Sequence, residues 1–521
     1  MLDFIRQHAG SVMGVINGFD RLRFRGTIRR LASVAGLGSF MQFCKVLLKD
    51  AGEWMNFHTE QVKAASLAKA EEAGRPVRYL NDTTLRKEDI AREIAERDGI
   101  KEGLVCVLTA VEPCFSFDIH RNRAKKKLEL VSRYRKCLHL YHYYQHPQFG
   151  LMHMRLQTWF PFNLYCCVNG REWLARQLDE QKIGYRKRAN CLVWVSDMKR
   201  AQELADEQLQ ADWATILNPI ALQVHPLYRQ MFADYPMDYY WSCQDSEWAS
   251  DILFNSPEAL AALYPHLIRH GIQNLSCVDV MRFLQGKEPT LSGHCNGHFK
   301  GEITSDLKTR PEGIRLKHYV NGNSVKMYDK QGSVLRIETT IVQTGDFKVF
   351  RGTEANPQDL QWRKLRKGVV DLRRRAEVSQ ASNDRYAAAM AAADCVKPLK
   401  DLAEPVCRRT RQEDRPIRAL NPLGKEDAAL LTIVTDGAFT ENGFRNRDVR
   451  AKLYASPTTD PREQKRRSAA TTRKLRLLRA HGLIKKVPKT HRYHLTDRGR
   501  EIITTVLAAR SASAQTLMKA A

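Results

Sequence analysis

The clearest alternation of apolar and polar positions lies between Gly313 and Arg351. Its β-rich runs are separated by Asn321-Gly322 and Gln331-Gly332. Glycine in such pairs supplies the positive φ of a two-residue hairpin loop, so the pattern predicts a three-stranded antiparallel meander. With two-residue loops, counting gives three cross-strand rows. They contain His318, Val325 and Glu338; Leu316, Met327 and Arg336; and Ile314, Asp329 and Val334.

This register divides the meander into two faces. The first is partly apolar and carries the polar residues His318, Asp329, Arg336 and Glu338. Charges on an apolar face are costly unless they are paired or used, so it indicates a phosphoryl-transfer or metal site, or an ion pair between Arg336 and a carboxylate. The second face carries Arg315, Lys317, Tyr319, Lys326 and Tyr328. Basic residues interleaved with tyrosines are typical of a sheet that binds a nucleic-acid backbone, although an ordinary solvated face gives the same pattern.

The other periodic stretches alternate between β-rich and helical patterns. Residues 11–30 predict a hairpin that turns at Asn17-Gly18, and Gly103–Ile119 predicts a buried strand with carboxylates at its far end. Residues 211–286 predict helices. The fold class expected is a multidomain α/β (α+β) protein with mixed or antiparallel sheets. The predicted segments are 1–130 (α/β), 131–212 (ferredoxin-like or RRM-like), 213–300 (helical), 301–360 (meander), 361–420 (basic helices and linker), 421–510 and a tail, 511–521.

Several carboxylates lie where metal chemistry can be built. Asp20 follows the predicted turn and either begins a metal site, as in ribonuclease-H-like nucleases, or caps its own turn. Glu112 comes near the end of a buried strand, where α/β enzymes place catalytic acids. Glu247 and Asp251 fall one turn apart on a predicted helix, a spacing that suits either a shared divalent ion or a solvated surface. His294, Cys295 and His298 are zinc-ligand types without a second pair at matching spacing.

The composition narrows the class of partner. The chain of 521 residues has 84 Lys+Arg against 58 Asp+Glu, a net charge of +26, which favours a polyanionic partner, most often nucleic acid. Apolar runs of about 18 residues are lacking, so no membrane partner is expected. The first residues do not follow the pattern of a signal peptide, and the 12 cysteines form no CxxC pair. A cytoplasmic protein with free thiols is expected.

The most specific motif lies near the end of the sequence. Leu478-Arg-Ala-His-Gly-Leu-Ile484 is followed by Tyr493-His-Leu-Thr-Asp-Arg-Gly499, after a strongly basic helical run. Residues 421–509 thereby resemble the winged helix-turn-helix domain of MarR-type bacterial regulators. Residues 421–521 hold 21 Lys+Arg and 9 Asp+Glu, a net +12. The resemblance implies a recognition helix and a wing on duplex DNA. The implied contacts are Arg466, Arg467, Thr471, Thr472, Arg473, Lys474 and Arg476 on the helix, and Lys485, Lys486, Lys489, His491 and Arg492 on the wing.

A shorter likeness covers residues 325–340, VKMYDKQGSVLRIETT. It is similar to a strand pair in the replication initiators of filamentous phage. Those initiators hold a metal with a His–hydrophobe–His motif, but His139 and His142 are three residues apart and point to opposite faces of a strand. Their nicking mechanism is therefore not transferred to this chain.

Together these patterns predict a nucleic-acid-binding protein of mobile-element or replication type. Its body would carry out metal-dependent phosphodiester chemistry with Mg²⁺ or Mn²⁺. The alternatives are a non-catalytic DNA-binding regulator and an RNA-binding protein; the partners expected are duplex DNA and, in the last case, RNA. The catalytic candidates are Asp20, Glu112, Asp329, Glu338, Arg336 and His318, of which Asp20, Glu112 and Glu338 are the metal candidates. Arg315, Lys317 and Lys326 of the meander join the nucleic-acid contacts.

Overall fold

Twenty strands and sixteen helices make up the described part of the computed structural model. It describes residues 1–82, 84–285, 302–353, 355–391, 399–412, 415–436, 439, 443–454, 456, 458–488 and 490–511. The chain forms two compact units. The first unit contains Met1, His8–Ala262 and Thr304–Tyr386; the second contains Leu2–Gln7, Leu263–Ile303 and Ala387–Ala521. The chain is thus a multidomain α/β protein, while the predicted segment boundaries stay predictions.

The strands and helices have the following bounds. The strands are β1 (Val12–Ile28), β2 (Val77–Tyr79), β3 (Gly103–Asn122), β4 (Lys127–His146), β5 (Gly150–Gln157), β6 (Leu164–Asn169), β7 (Tyr185–Arg188), β8 (Cys191–Val195), β9 (Tyr239–Phe254), β10 (Ile303–Arg310), β11 (Gly313–Val320), β12 (Asn323–Lys330), β13 (Val334–Ile341), β14 (Lys348–Arg351), β15 (Gln361–Lys364), β16 (Thr410–Gln412), β17 (Arg415–Ile417), β18 (Phe444–Arg445), β19 (Ile484–Lys486) and β20 (Arg492–Leu495). The helices are α1 (Leu2–Gln7), α2 (Val34–Phe43), α3 (Ala51–Glu72), α4 (Lys87–Arg97), α5 (Gly170–Glu180), α6 (Met198–Glu207), α7 (Trp213–Val224), α8 (Tyr228–Met231), α9 (Pro257–Gln273), α10 (Cys277–Gln285), α11 (Leu372–Met390), α12 (Leu399–Ala403), α13 (Lys425–Val434), α14 (Asn446–Leu453), α15 (Pro461–Ala480) and α16 (Asp497–Ser511).

An eleven-stranded sheet holds the first unit together. Its order is β10-β11-β12-β13-β9-β1-β6-β5-β4-β3-β2, so the long antiparallel pair of β1 and β9 lies at its centre. The predicted meander continues this sheet on the β9 side, because β13 pairs antiparallel with β9. Helices α5 and α6 pack on β1, where Ile16 is buried against Leu174 and Leu204. This packing covers the part of β1 that leads to Asp20.

Residues 11–30 do not form the predicted hairpin. They lie mostly in one continuous strand, β1, in which Asn17 pairs with Ser250 and Gly18 with Ala249. A Cβ at Gly18 would lie 3.3 Å from Arg171 Nη1 of α5. The glycine therefore serves a close helix approach, and the prediction of a turn at Asn17-Gly18 is wrong.

The predicted helix over residues 238–254 is also wrong, since this stretch forms strand β9. It lies between β1 and β13 with nearly every residue buried, so it lacks the polar–apolar alternation that marks a half-buried strand. Positions four apart share one face in a strand as they do in a helix. Glu247 and Asp251 keep that relation in the real structure.

The meander has the predicted register in its first hairpin but not in its second. His318 pairs with Val325, as predicted. In the second hairpin Lys326 pairs with Glu338, because the connection between β12 and β13 has three residues. Gln331 and Gly332 there have φ of 56° and 75°. A one-residue slip turns every side chain to the other face, so Arg336 and Glu338 join Lys326 and not Val325.

The second unit ends in a small domain of helices and a three-stranded sheet. Its elements run α13, β18, α14, α15, β19, β20, α16, and the sheet order is β18-β20-β19. Asp460 caps the start of α15 through a hydrogen bond from Arg462 N. The helix ends at Ala480, and the positive φ of 73° at Gly482 lets the chain leave the helix there.

Candidate metal centre

Three carboxylates from three adjacent strands meet in the first unit. Asp20 on β1, Glu247 on β9 and Glu338 on β13 each offer an oxygen atom, and these atoms lie within 4.8 Å of one another. All three side chains are buried. We call these residues the acidic cluster. In the described part of the chain, no other group of three His, Cys, Asp or Glu residues meets so closely.

A β-bulge brings Asp20 into the acidic cluster. Phe19 pairs with Trp248 and Arg21 pairs with Glu247, so Asp20 is an extra residue in β1. Bulges re-aim side chains and are common next to active sites. Asn190 Nδ2 lies 2.9 Å from both carboxylate oxygens of Asp20 and holds them in place.

A cavity of about 660 Å³ opens beside the acidic cluster. Its walls include all three carboxylates together with Arg92, Lys187 and Lys330. This volume is in the range of small-molecule and cofactor sites. The cavity gives the carboxylates access to a ligand although they are buried.

Lys326 occupies the position between two of the carboxylates. Its Nζ lies 2.5 Å from Glu338 Oε1 and 3.3 Å from Glu247 Oε1. Arg21 Nη2 donates a hydrogen bond of 2.7 Å to the same Glu247 oxygen. The acidic cluster therefore already holds a monovalent cation, the ammonium of Lys326.

Arg336 is fully buried and links the acidic cluster to a fourth carboxylate, that of Asp251. Its Nη1 lies 2.9 Å from Asp20 Oδ1, and its Nε lies 2.6 Å from Asp251 Oδ1. Arg171 Nη2 reaches Asp251 at 3.0 Å. Four carboxylates thus face four cations, because Arg21 and Lys326 complete the set. Arg336 orients Asp20, and removing it would leave buried charges unpaired.

The carboxyls of the acidic cluster do not share one ionisation state. Burial raises the pKa of Glu338 to about 7; Lys326 opposes this shift, and the charges of Glu247 and Asp20 add to it. Burial also disfavours the charged form of Glu247, but Lys326 and Arg21 hold its pKa well below the usual range. Since the two carboxyls share Lys326, the proton near neutral pH belongs to the pair. A divalent cation would replace that proton and release Lys326.

Glu112, a predicted metal ligand, lies in a different environment. Its carboxylate accepts a 2.7 Å hydrogen bond from Tyr141 Oη, and Arg155 Nη1 and Lys87 Nζ lie at 3.0 and 3.1 Å. We call these four residues the Glu112 cluster. Burial alone would raise the pKa of Glu112, but Tyr141 and the two cations lower it. The structure does not bring Glu112 together with Asp20 and Glu338. The prediction that Glu112 shares a metal site with them is therefore wrong.

His318 and Asp329 also lie apart from Arg336 and Glu338, on the opposite face of the sheet. His318 contacts Ser305 Oγ at 2.6 Å and Tyr386 Oη at 3.2 Å. Burial lowers its pKa to about 4, so it is neutral at physiological pH. The prediction that His318 and Asp329 share a face with Arg336 and Glu338 is wrong, because the loop between β12 and β13 has three residues and not two. The sequence analysis places Glu247 beside Asp251 on a predicted helix and not with Asp20 and Glu338. The aromatic residues on the N-terminal side of Glu247 are the sequence signal that favours a strand here.

The basic residues predicted on the meander are mostly engaged within the protein. Arg315 is buried, and its Nη2 donates to Asp306 at 2.9 Å. Lys317 is half-buried, and burial together with Lys326 and Arg315 lowers its pKa to about 8. Lys326 lies in the acidic cluster. The meander is thus not the open basic face that the sequence predicted, and the predicted zinc-ligand types His294, Cys295 and His298 lie outside the described residues.

The predicted DNA contacts of the second unit differ in exposure. Those exposed on α15 and β19 are Arg466, Thr472, Arg473, Arg476, Lys485 and Lys486. Arg467, Lys474 and Arg492 are half-buried, and Lys489 lies outside the described residues. Thr471 is fully buried and bonds to Arg467 O, so it faces the domain core. The exposed residues form a basic surface on helix α15 and the adjacent strand β19.

Comparisons of the chain with protein-family models, curated proteins and solved structures find no match. No family is therefore assigned to it. In the described part of the chain, every helix is too short or too polar to cross a membrane.

Proposed function

We propose that this protein processes nucleic acid by metal-dependent phosphodiester chemistry at the acidic cluster. The observation that carries the proposal is the convergence of Asp20, Glu247 and Glu338 within 4.8 Å beside a cavity of about 660 Å³. Buried carboxylates that face one another are unfavourable without a cation, and carboxylate oxygens are the ligands that Mg²⁺ and Mn²⁺ prefer.

Asp20, Glu247 and Glu338 would hold the divalent ion. When bound there, the ion would supply Lewis-acid chemistry for hydrolysis of a phosphodiester. Lys326, released from Glu338 and Glu247, would then neutralise charge on the phosphate. Arg336 would hold Asp20 in place throughout.

The second unit supplies the docking site for duplex DNA in this proposal. The order of α13, β18, α14, α15, β19 and β20 fits the winged helix that the sequence resembles. Its exposed basic residues on α15 and β19 would contact the groove and the adjacent phosphates. The chain's net charge of +26 supports a polyanionic partner.

One observation favours the alternative of a non-catalytic DNA-binding regulator. Lys326 and Arg336 already neutralise the carboxylates, as they would in a purely structural ion-pair network. The two functions differ in one measurable property, since only the first requires a divalent cation.

The test uses the full-length chain with labelled duplex DNA, single-stranded DNA and structured RNA, each with Mg²⁺, Mn²⁺ or EDTA. We expect strand cleavage only with metal, loss of cleavage in Asp20→Asn and Glu338→Gln, and full cleavage in the matched control Glu112→Gln. Intact but shifted duplex under all conditions would refute the catalytic proposal and leave the regulator.

A further inference from the structure

The β14–β15 hairpin of the first unit exposes two large aromatic rings side by side. Phe350 and Trp362 are cross-strand partners, and their ring centroids lie 5.6 Å apart. Phe350 is 56% exposed and Trp362 is 67% exposed. The two rings together form a contiguous exposed apolar patch, and such patches, unlike single exposed side chains, are typical of interaction sites.

The opposite face of this hairpin is anchored in the protein. Val349 is buried with Phe347, Ile341 and Leu365 in a small hydrophobic core. Arg351 is also buried, and its Nη2 donates to Lys364 O at 3.2 Å. The hairpin is therefore held in one orientation, and the exposure of Phe350 and Trp362 follows from its register.

The exposed face also carries two lysines. Lys348 and Lys364 are cross-strand partners, both exposed, and side chains two positions apart on a strand share a face with Phe350 and Trp362. Like charges directly opposite each other are unfavourable without an anion. Two flat apolar rings beside two ammonium groups are complementary to the bases and phosphates of an unpaired nucleic-acid strand.

We propose that Phe350 and Trp362 stack on unpaired bases of a single nucleic-acid strand while Lys348 and Lys364 contact its phosphates. This inference rests on the proposed function for its class of partner and adds that the first unit binds a single strand. A regular duplex cannot occupy the surface in this way, because its bases are already stacked on one another. The hairpin comes soon after β13, the strand that carries Glu338. Its first residue, Lys348, is ten positions after Glu338 in the sequence.

The test measures binding of a labelled oligothymidylate to the full-length chain in EDTA, at low salt and at about 0.3 M salt. Stacking depends on salt far less than phosphate contacts do, so the higher salt isolates the contribution of the rings. We expect Phe350→Ala/Trp362→Ala to bind about tenfold or more weakly at the higher salt. Trp362→Tyr should retain most binding, and Leu360→Ala, which removes a neighbouring exposed apolar side chain, is the matched control.

Unchanged oligothymidylate binding by the double variant would overturn the inference. So would a change in its oligomeric state with binding intact, which would assign the rings to a protein contact. The two proposals can fail separately. If the wild type cleaves duplex with metal but does not bind oligothymidylate, the stacking surface alone is refuted. If it binds oligothymidylate but cleaves no substrate, the phosphodiester chemistry alone is refuted.

Discussion

Glu338 and Glu112 are buried or half-buried carboxylates on strands of the same sheet, yet their surroundings oppose each other. Glu112 faces Lys87, Arg155 and the hydroxyl of Tyr141, and these groups lower its pKa. Glu338 faces two further carboxylates and shares Lys326 with one of them, and its pKa is raised to about 7. Cations and a hydroxyl surround Glu112, whereas Glu338 converges with two other carboxylates and shares a single ammonium with one of them. We therefore expect a divalent cation at the acidic cluster and none at the Glu112 cluster.

The largest contrast is expected in catalysis. Glu338→Gln should lower metal-dependent cleavage by about 1000-fold, because metal ions contribute several kcal/mol to the transition state. Glu112→Gln should stay within about twofold of the wild type, since the Glu112 cluster lies outside the acidic cluster. Single-turnover cleavage rates of the two variants measure this difference. Comparable losses in both would contradict the distinction between the clusters.

A second contrast concerns stability. Lys326→Met should destabilise the metal-free protein by about 3–5 kcal/mol, because it leaves buried carboxylates without their shared cation. Lys87→Met removes a more exposed pair and should cost below about 1 kcal/mol. Denaturant unfolding monitored by circular dichroism measures both values. Mn²⁺ should restore part of the loss in Lys326→Met and none in Lys87→Met; equal recovery would contradict a metal site at the acidic cluster.

The raised pKa of Glu338 gives the metal-free protein a pH-dependent stability. The folded state binds this proton more tightly than the unfolded chain, so the contribution is present below about pH 4.5 and lost as pH rises towards 7. The loss should be of the order of 3 kcal/mol, from 1.36 kcal/mol for each unit of pKa. Urea unfolding of the wild type and Glu338→Gln between pH 4.5 and 8 measures it. A stability difference that is flat over this range would show that Glu338 is not protonated near neutral pH.

The smallest effect is expected in metal affinity. Below about pH 7 a divalent cation must displace the proton on Glu338, so the affinity for Mn²⁺ should rise by about tenfold per pH unit up to that point and then level off. Calorimetric titration of Mn²⁺ at pH 5.5, 6.5 and 8 tests this dependence. Glu112→Gln should give the wild-type profile. An affinity independent of pH would place the ion elsewhere.

The sequence identified some members of the acidic cluster and misplaced their neighbours. Asp20 could be selected because it follows the predicted turn, and Glu338 because it is a charged residue on a partly apolar face. Three residues, not two, connect β12 and β13, and this turned Arg336 and Glu338 to the face of Lys326. Loop length is decided by local backbone conformation, here positive φ at both Gln331 and Gly332, which composition alone does not specify.

The central strands β1 and β9 were predicted least well. Asn17-Gly18 has the composition of a turn, but its glycine accommodates Arg171 from a helix more than 150 residues later in the chain. Strand β9 is buried on both faces, so its side chains lack the alternation from which a strand is usually predicted. Both errors come from tertiary packing that local patterns do not contain. The strand order β13-β9-β1, which local patterns do not contain, is what places Glu247 beside Asp20 and Glu338.

The most direct test of the acidic cluster is a crystal structure of the full-length protein with Mn²⁺, analysed by anomalous scattering at the manganese edge. We predict one anomalous peak about 2.0–2.2 Å from oxygen atoms of Asp20, Glu247 and Glu338, with Lys326 Nζ displaced from Glu338. Density without such a peak, and with Lys326 still between the two glutamates, would contradict a metal site and leave the cluster as an ion-pair network.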